Sequence, residues 1–248
     1  MKFFFGDFIM GNKKLFLLLL LVLVLGIYIG LNFFHWTDKI LRKPIPIGEI
    51  TKVPDEEGWI DLLSAENRGN WKNVTDDMNI FEIQDDGVLH IFGKTWYPLR
   101  YVGFSQRTFS DFQLHLEFKL TKRANSGVFL RSQINDPVYR GFEIQVLEDY
   151  GKPPNKNSCG AIYDITTPMY NMSFPVGQWN SYDITLQGSE VKVVMNGWLI
   201  IHTFLDKMTT PLGKFPVAYA TLPKEGYLLL QDHGGEVWYR NIRIKPLN

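Results

Sequence analysis

Residues 111–150 read DFQLHLEFKLTKRANSGVFLRSQINDPVYRGFEIQVLEDY. Polar residues alternate with the apolar residues of the first run, which are Phe112, Leu114, Leu116, Phe118 and Leu120. This period of two is typical of a strand that buries one face. In the last run, Phe142, Ile144 and Val146 share one face, and Glu143 and Gln145 share the other. We therefore predict strands whose apolar residues form the inner face of one sheet, while the polar face could bind a polar ligand or simply be solvated.

Further strand signals follow along the chain. Asp86-Gly87 separates two short apolar runs, and Asn196-Gly197 separates two more, so we predict a β-hairpin at each dipeptide. A last pair of strands, over residues 226–234 and 237–244, is joined at Gly234-Gly235. No amphipathic helix and no repeat is evident after residue 58. Many short strands separated by turns predict an antiparallel sandwich or barrel.

Composition excludes some functions. The chain has 248 residues, of which 26 are basic and 26 acidic, so its formal net charge is zero. Without a basic stripe, we predict no nucleic-acid partner. The single cysteine, Cys159, cannot form an internal disulfide, and no base is suggested beside it that would make it a nucleophile.

The amino-terminal part carries an apolar run. Residues Leu15–Phe34 read LFLLLLLVLVLGIYIGLNFF, and about 20 apolar residues suffice for a helix to cross a bilayer. No small-residue cleavage site follows, so we predict an uncleaved transmembrane helix over residues 15–36. Lys13 and Lys14 abut the run and favour a short cytoplasmic tail over residues 1–14. We expect a single-pass membrane protein with most of its chain on the periplasmic or extracellular side.

A tether is predicted between this helix and the folded domain. Residues 37–57 contain three prolines and mixed charge without periodicity. The folded domain is predicted over residues 58–248, a sufficient length for one sandwich. Gly26 and Gly30 form a G-x-x-x-G spacing that favours close helix contact. Besides the lipid bilayer, a membrane protein is therefore a candidate partner.

Six segments taken together resemble a known family. They are SDFQLHLEF, ANSGVFLRS, RGFEIQVLEDYG, GAIYDITTP, VGQWNSYDITLQGSEVKVVMNGWLI and LLLQDHGGEVWYRNIRIKPL. Their order and spacing are similar to those of the 3-keto-disaccharide hydrolase domain family, over roughly residues 58–247. The resemblance implies an all-β, concanavalin-like jelly-roll sandwich of two antiparallel sheets, whose concave face binds carbohydrate in related folds. It also implies activity on glycosides oxidised at carbon 3.

The chemistry of such a substrate suggests catalytic roles. A ketone at carbon 3 acidifies the proton on carbon 2, so elimination followed by hydration can break the glycosidic bond. The reaction needs a base, a positive group for the enediolate oxygen and an acid for the leaving group. Strand parity and the resemblance favour Glu143 as base, Arg131 or a metal for the oxyanion, and His233 as acid or metal ligand. Four further residues are candidates for substrate binding: Gln145, Asp149, Tyr163 and Gln231.

Simpler interpretations stay open for these residues. Arg131 could pair with Glu143 across strands, and His233 could fix the turn at Gly234-Gly235 through a backbone hydrogen bond. A divalent metal such as calcium could use oxygens of Asp149, Asp164 or Asp232, but the chain has no spaced ligand motif, so no metal site is assigned.

The sequence leaves three functions in competition. The first is a membrane-anchored hydrolase or lyase of 3-keto-glycosides. Ordinary glucan hydrolysis is disfavoured because the strand motif E-x-D-x-x-E is absent and Gln145 stands where a second carboxylate would be needed. The second is a non-catalytic carbohydrate-binding module that stacks sugars on Trp96, Trp179 or Trp198. The third is an accessory subunit of a membrane complex.

Overall fold

The computed structural model describes residues 20–30 and 48–247. The chain divides into two compact units, Met1–Ile47 and Gly48–Asn248. In the first unit, residues 20–30 form a helix. None of the helices in the described part of the chain is long and apolar enough to cross a membrane. The predicted span Leu15–Phe34 extends on both sides into residues outside the described ones, as does the predicted tail, so the membrane anchor stays a prediction.

The second unit is an all-β sandwich. Residues 48–247 contain thirteen strands: β1 (Ile60–Asp61), β2 (Trp71–Asn73), β3 (Phe81–Ile83), β4 (Leu89–Ile91), β5 (Arg100–Phe104), β6 (Phe112–Leu120), β7 (Asn125–Ser132), β8 (Phe142–Leu147), β9 (Trp179–Gln187), β10 (Glu190–Met195), β11 (Trp198–Phe204), β12 (Tyr227–Asp232) and β13 (Val237–Pro246). Eight form one sheet in the order β11-β10-β9-β6-β13-β4-β3, with β1 paired to β13. Five form the other, in the order β2-β5-β12-β7-β8. Because every pair is antiparallel, the predicted sandwich of two antiparallel sheets is confirmed.

The inner faces of the sheets enclose the core. On β6 the side chains of Leu114, Leu116 and Phe118 are at most 1% exposed, and on β8 so are those of Phe142 and Ile144. Burying a side chain of this size stabilises the fold by about 1.5–3 kcal/mol. The alternation read from the sequence therefore identifies the core-facing side chains of both strands correctly.

The prediction that the strands of residues 111–150 form the inner face of one sheet is wrong, because β6 lies in the eight-stranded sheet and β7 and β8 lie in the five-stranded one. The last two strands are joined at Gly234-Gly235, but β12 and β13 belong to different sheets. Gly234-Gly235 therefore joins the two layers. Alternation specifies which face of a strand is buried but carries no information about its partner.

The outer face of β6 is buried rather than solvated. His115 and Glu117 are at most 3% exposed. The Glu117 carboxylate accepts hydrogen bonds from Nε of Arg240 at 2.7 Å and from Nδ2 of Asn241 at 2.8 Å. Nδ1 of His115 lies 2.7 Å from a carboxylate oxygen of Asp183. These partners offset the cost of burying two ionisable groups.

The folded unit begins earlier than the predicted start at Gly58. Residues 48–57, predicted as the end of the tether, hydrogen-bond to the sandwich. The amide of Glu49 donates to the carbonyl of Asn196 at 3.0 Å, and the amide of Thr51 donates to Oγ of Ser181 at 3.1 Å. The folded unit therefore starts at Gly48. The predicted tether residues 37–47 lie outside the described part of the chain.

Candidate active site

The outer face of the five-stranded sheet carries a narrow cleft of about 40 Å³. Nine residues line it: Leu99, Asn125, Val138, Glu143, Gln145, Tyr163, Lys214, Gln231 and His233. Five of the seven residues predicted from the sequence are thus brought together. The other two, Arg131 and Asp149, are not.

Neighbouring strands place the polar side chains of the cleft. Strand β7 lies between β12 and β8, and it supplies Asn125. Strand β8 supplies Glu143 and Gln145, and β12 supplies Gln231. Residues two apart on a strand share a face, so these side chains lie opposite the core residues Ile144 and Leu230.

A loop closes the free edge of β8 and brings Tyr163 to the cleft. The amide of Tyr163 donates to the carbonyl of Glu143 at 3.0 Å, and the amide of Gln145 donates to the carbonyl of Ala161 at 3.0 Å. The loop therefore covers the edge with backbone hydrogen bonds. This cover explains why Glu143 and Gln145 are buried, which excludes the interpretation of a solvated outer face.

Asp164, the residue after Tyr163 in this loop, holds Lys214 at the cleft. Oδ2 of Asp164 accepts a hydrogen bond from the amide of Lys214 at 2.6 Å, and Asp164 also pairs with Lys156. Nζ of Lys214 lies 4.4 Å from the centroid of the Tyr163 ring. The ammonium group therefore stands over one wall of the cleft, where it acts electrostatically on Glu143 and His233.

Glu143 is the most perturbed polar group of the cleft. Its side chain is 8% exposed, and its carboxylate accepts no hydrogen bond from any residue that the structure describes. Burial raises the pKa of Glu143 to about 8, and the nearby Lys214 charge opposes part of that rise. A carboxyl group held in this way is a strong base once it has lost its proton.

Gly127 on β7 makes room for this carboxyl group. A Cβ at Gly127 would overlap a carboxylate oxygen of Glu143 and would lie 2.7 Å from its Cδ. The bare backbone of β7 is thus the surface on which the Glu143 side chain rests. This glycine belongs to the segment ANSGVFL, and its role is not predicted from the sequence.

His233 follows the end of β12 and is held as a neutral ring. Burial lowers the pKa of His233, and the Lys214 charge lowers it further. Nδ2 of Asn125 donates to Nδ1 of His233 at 2.8 Å, which leaves the ring proton on Nε2. His233 is therefore a hydrogen-bond donor at Nε2 rather than a strong acid.

Two acceptor atoms in the wall of the cleft are left without a partner. Oδ1 of Asn125 and Oε1 of Gln231 are buried and accept no hydrogen bond from any described residue. An unsatisfied buried polar atom costs about 1–3 kcal/mol. These two atoms and the Glu143 carboxyl group thus place several unpaired polar groups in one cleft. Such a group of polar atoms favours a binding site over a purely structural role.

Arg131 is used elsewhere in the fold. Its guanidinium donates to the carbonyls of Ser110 at 2.7 Å and Gly188 at 2.8 Å, and to Oδ1 of Asp111 at 2.9 Å. The backbone of Arg131 has φ +48°, and the pairing of β7 with β12 shifts register beside it. This irregularity breaks the alternation from which the sequence analysis placed Arg131 beside Glu143. Its side chain lines a separate cavity of about 230 Å³.

The three aspartates considered as metal ligands hold loops instead. Asp149 accepts from the amide of Cys159 at 3.0 Å, and Asp232 accepts from the amide of Lys94 at 3.0 Å. Asp164 is engaged by Lys214. Within the described ranges, no three His, Cys, Asp or Glu side chains are grouped so as to hold a metal ion.

Of the three tryptophans considered as sugar platforms, Trp96 stands next to the cleft. It is 61% exposed, and its ring centroid lies 6.1 Å from that of His233. The rings of Trp179 and Trp198 contact Arg240 and Tyr170. Among them, only Trp96 is therefore positioned to contact a ligand in the cleft.

Two polar residues of the cleft, Asn125 and Lys214, are not predicted from the sequence. Asn125 precedes Gly127 on a strand and shares its face, so alternation could have found it. Lys214 lies in a loop without periodicity. Its position depends on the hydrogen bond between its amide and Asp164, a long-range contact that no local sequence pattern predicts.

The raised pKa of Glu143 predicts a pH-dependent cost in stability. Because the folded state holds the Glu143 proton more tightly than the unfolded state, wild-type stability should fall as pH rises from the ordinary glutamate pKa to about 8. Glu143→Gln removes this cost, so the variant should be more stable at pH 8 by an amount on the order of a few kcal/mol, with no gain near pH 4. Urea unfolding at both pH values checks this, with the exposed Glu66→Gln as control. Equal stability of Glu143→Gln and wild type at pH 8 would contradict the burial of an uncompensated carboxyl group.

Comparison with known proteins agrees with this architecture. A curated 3-keto-disaccharide hydrolase of Bacteroides thetaiotaomicron is 28% identical over 173 residues, which cover 56% of this chain and 60% of that protein. The crystal structure of a protein assigned as a glycosyl hydrolase from Parabacteroides distasonis has a TM-score of 0.65 at 27% identity, covering 76% of this chain and 99% of that one. A Bacillus subtilis protein with a galectin-like fold has a TM-score of 0.52 at 13% identity, covering 78% and 97%, and shows likeness of fold alone.

The family is identified by its sequence model. The model of the 3-keto-alpha-glucoside-1,2-lyase-like domain matches residues 58–245. This range includes every residue that lines the cleft. The chain belongs to the family of 3-keto-alpha-glucoside-1,2-lyase-like domains.

Proposed function

We propose that this protein is a lyase or hydrolase that cleaves 3-keto-glycosides, with Glu143 as the catalytic base. The observation that carries the proposal is the Glu143 carboxyl group, which is buried in a polar cleft, receives no hydrogen bond from a described residue and has its pKa raised to about 8. The name of the family and the name of the curated relative support a 3-keto sugar as substrate. The match covers 60% of the length of that relative. The activity proposed for this chain therefore rests on the residues of its own site.

In the first step, the Glu143 carboxylate takes the proton from carbon 2 of the sugar. The electron pair of the broken C–H bond moves towards the carbonyl at carbon 3 and produces an enediolate. Nε2 of His233 donates a hydrogen bond to the carbonyl oxygen, where the negative charge develops. A neutral imidazole suits this role because it stabilises the oxyanion without pairing with the carboxylate of Glu143. This assignment replaces the acid role predicted for His233.

In the second step, the glycosidic bond at carbon 1 breaks. The enediolate electron pair re-forms the carbonyl at carbon 3, a double bond forms between carbons 1 and 2, and the leaving oxygen takes a proton from the Lys214 ammonium. Lys214 thus takes the acid role predicted for His233, and His233 takes the oxyanion role predicted for Arg131. A hydrolase would then add water across the double bond, with hydroxyl to carbon 1 and a proton to carbon 2.

The wall of the cleft supplies contacts for the sugar hydroxyls. Oδ1 of Asn125 and Oε1 of Gln231 are unpaired acceptors, and the amide group of Gln145 and the ring of Tyr163 border the same space. A sugar ring carries several hydroxyl groups, each of which can donate a hydrogen bond. The cleft therefore matches a sugar better than an apolar ligand. Asp149, buried in its loop by contacts with Cys159 and Ser173, takes no part.

Loss of the base should abolish turnover. We expect Glu143→Gln to lower kcat on a 3-keto-glucoside by about 10²–10⁴-fold, since general-base catalysis contributes that much. In the wild type, kcat/KM should rise about tenfold per pH unit and level off above pH 8, because the base must be ionised. Steady-state assays across pH test both, with Glu66→Gln as control. Full turnover by Glu143→Gln would remove Glu143 from the mechanism.

The two donors should be separable by the pH profile. His233→Ala should lower kcat by about 10²–10³-fold, as loss of one oxyanion donor does elsewhere, and His233→Gln should lower it less because its amide keeps an N–H. Lys214→Met should also move the pH limb upward, since the ammonium lowers the pKa of Glu143. Lys214→Arg should leave the limb in place, and the exposed Lys224→Met serves as control. An unmoved limb in Lys214→Met would exclude the electrostatic role of Lys214.

We also propose that the enzyme is attached to a membrane through Leu15–Phe34. The support is the length and apolar composition of this run. We expect the expressed full chain to stay in the membrane pellet after alkaline carbonate and to be extracted by mild detergent, whereas Leu21→Lys combined with Leu25→Lys should release it. Release of the unchanged chain by carbonate would contradict the anchor. Co-extraction of a stoichiometric partner, together with no turnover of any 3-keto-glucoside, would favour an accessory subunit instead.

A further inference from the structure

A second, larger groove opens beside the polar cleft. It encloses about 680 Å³, and it shares two wall residues, Leu99 and Val138, with the cleft. Its other lining residues are Val74, Thr75, Tyr97, Pro98, Tyr101, Ile134, Asn135, Pro137 and Tyr139. The groove and the cleft are therefore adjacent, and Leu99 and Val138 lie in the wall of both.

The groove differs from the cleft in its chemistry. None of its lining residues carries a charge, and three are tyrosines. The Thr75 hydroxyl is already engaged, since its Oγ1 accepts from the amide of Tyr101 at 3.0 Å. Asn135 is thus the one amide side chain that lines the groove. By contrast, the ionisable side chains of Glu143, Lys214 and His233 line the cleft of about 40 Å³.

An apolar cluster on the outer face of the sheet adjoins the groove and contributes Tyr101 to its lining. Tyr101, Phe129 and Leu229 are at most 4% exposed and pack together, with Leu99 and Val138 against them. The Tyr101 and Phe129 rings meet edge to face at 5.0 Å. Strands β5, β7 and β12 therefore support an apolar surface, and β7 and β12 also place side chains of the cleft.

The rim of the groove exposes aromatic side chains. Tyr97 is 88% exposed and Tyr139 is 41% exposed, although both are large. Exposed aromatic groups around an apolar depression are characteristic of surfaces that bind ligands.

We propose that this groove binds the leaving group of the 3-keto-glycoside, and that the leaving group it selects is apolar and aromatic. The proposal rests on the proposed function, since it takes the reacting carbons of the sugar to lie at the polar cleft. Carbon 1 of the sugar would then lie near Leu99 and Val138, with its substituent directed into the groove. The glycosidic bond that breaks would then lie between the cleft and the groove.

A second sugar would fit this groove less well than an aromatic group. Its hydroxyl groups would lose water and find one amide side chain and the phenol groups in return. An aromatic ring needs no such partners, and it can pack against Tyr97 and Tyr139 in edge-to-face or offset geometry. The composition of the groove therefore selects for an aryl substituent.

The kinetic test compares two leaving groups of similar acidity. We expect wild type to show a KM for 2-phenylethyl 3-keto-α-glucoside roughly 10-fold below that for the ethyl compound. Tyr139→Ala should remove most of this preference, and the exposed Tyr150→Ala, which does not line the groove, should retain it. Equal KM values for the two compounds in wild type would overturn the proposal.

A binding test separates the groove from the catalytic step. Calorimetry with the non-oxidised 2-phenylethyl and ethyl α-glucosides measures affinity without turnover. Tighter binding of the phenylethyl compound by about 10-fold in wild type, and its loss in Tyr139→Ala, supports the groove even if no 3-keto-glucoside is cleaved, an outcome that would refute the proposed function alone. Equal affinity for both compounds overturns the groove proposal whether or not the enzyme is active.

Discussion

The Glu143 carboxyl group is largely shielded from water on the outer face of a sheet, and its surroundings are shaped around it. Gly127 has no side chain and so leaves room for the carboxyl group, the loop through Tyr163 covers the strand edge, and Lys214 limits the rise of the pKa of Glu143. Burial of an ionisable group without a hydrogen-bond partner costs stability. The fold tolerates this cost because the core between the two sheets is formed by the opposite faces of the same strands.

Hydrogen bonds link the loops around the five-stranded sheet to its strands and to one another. Strand β8 holds the loop at Tyr163, and the neighbouring Asp164 holds the backbone of Lys214. On the other side, Asp232 at the end of β12 binds the amide of Lys94 and so holds the segment that carries Trp96. The polar cleft and the apolar groove thus lie side by side on the outer face of the five-stranded sheet. This division of the face suits a substrate with a polar sugar and an apolar substituent.

The sequence predicts the class of fold and most of the cleft, because alternation directly reports which side chains leave the core. Alternation predicts Glu143 and Gln145, and the resemblance to the family adds Tyr163, Gln231 and His233. The assignment failed at Arg131, where a positive φ and a register shift invert the side chain. It also failed at Lys214, whose position is set by a long-range contact with Asp164. Strand partners were equally hidden, since β6 and β7 are adjacent in the chain yet lie in different sheets.

The most direct test of this account is the titration of the Glu143 carboxyl group itself. In protein labelled with carbon-13 at glutamate Cδ, the resonance absent from Glu143→Gln identifies Glu143, and its chemical shift can be followed from pH 4 to pH 10. We predict a midpoint of about 8, because burial disfavours the carboxylate more than Lys214 favours it. A midpoint near the ordinary glutamate value of about 4.3 would mean that the group is solvated or paired, and would contradict its role as a buried base.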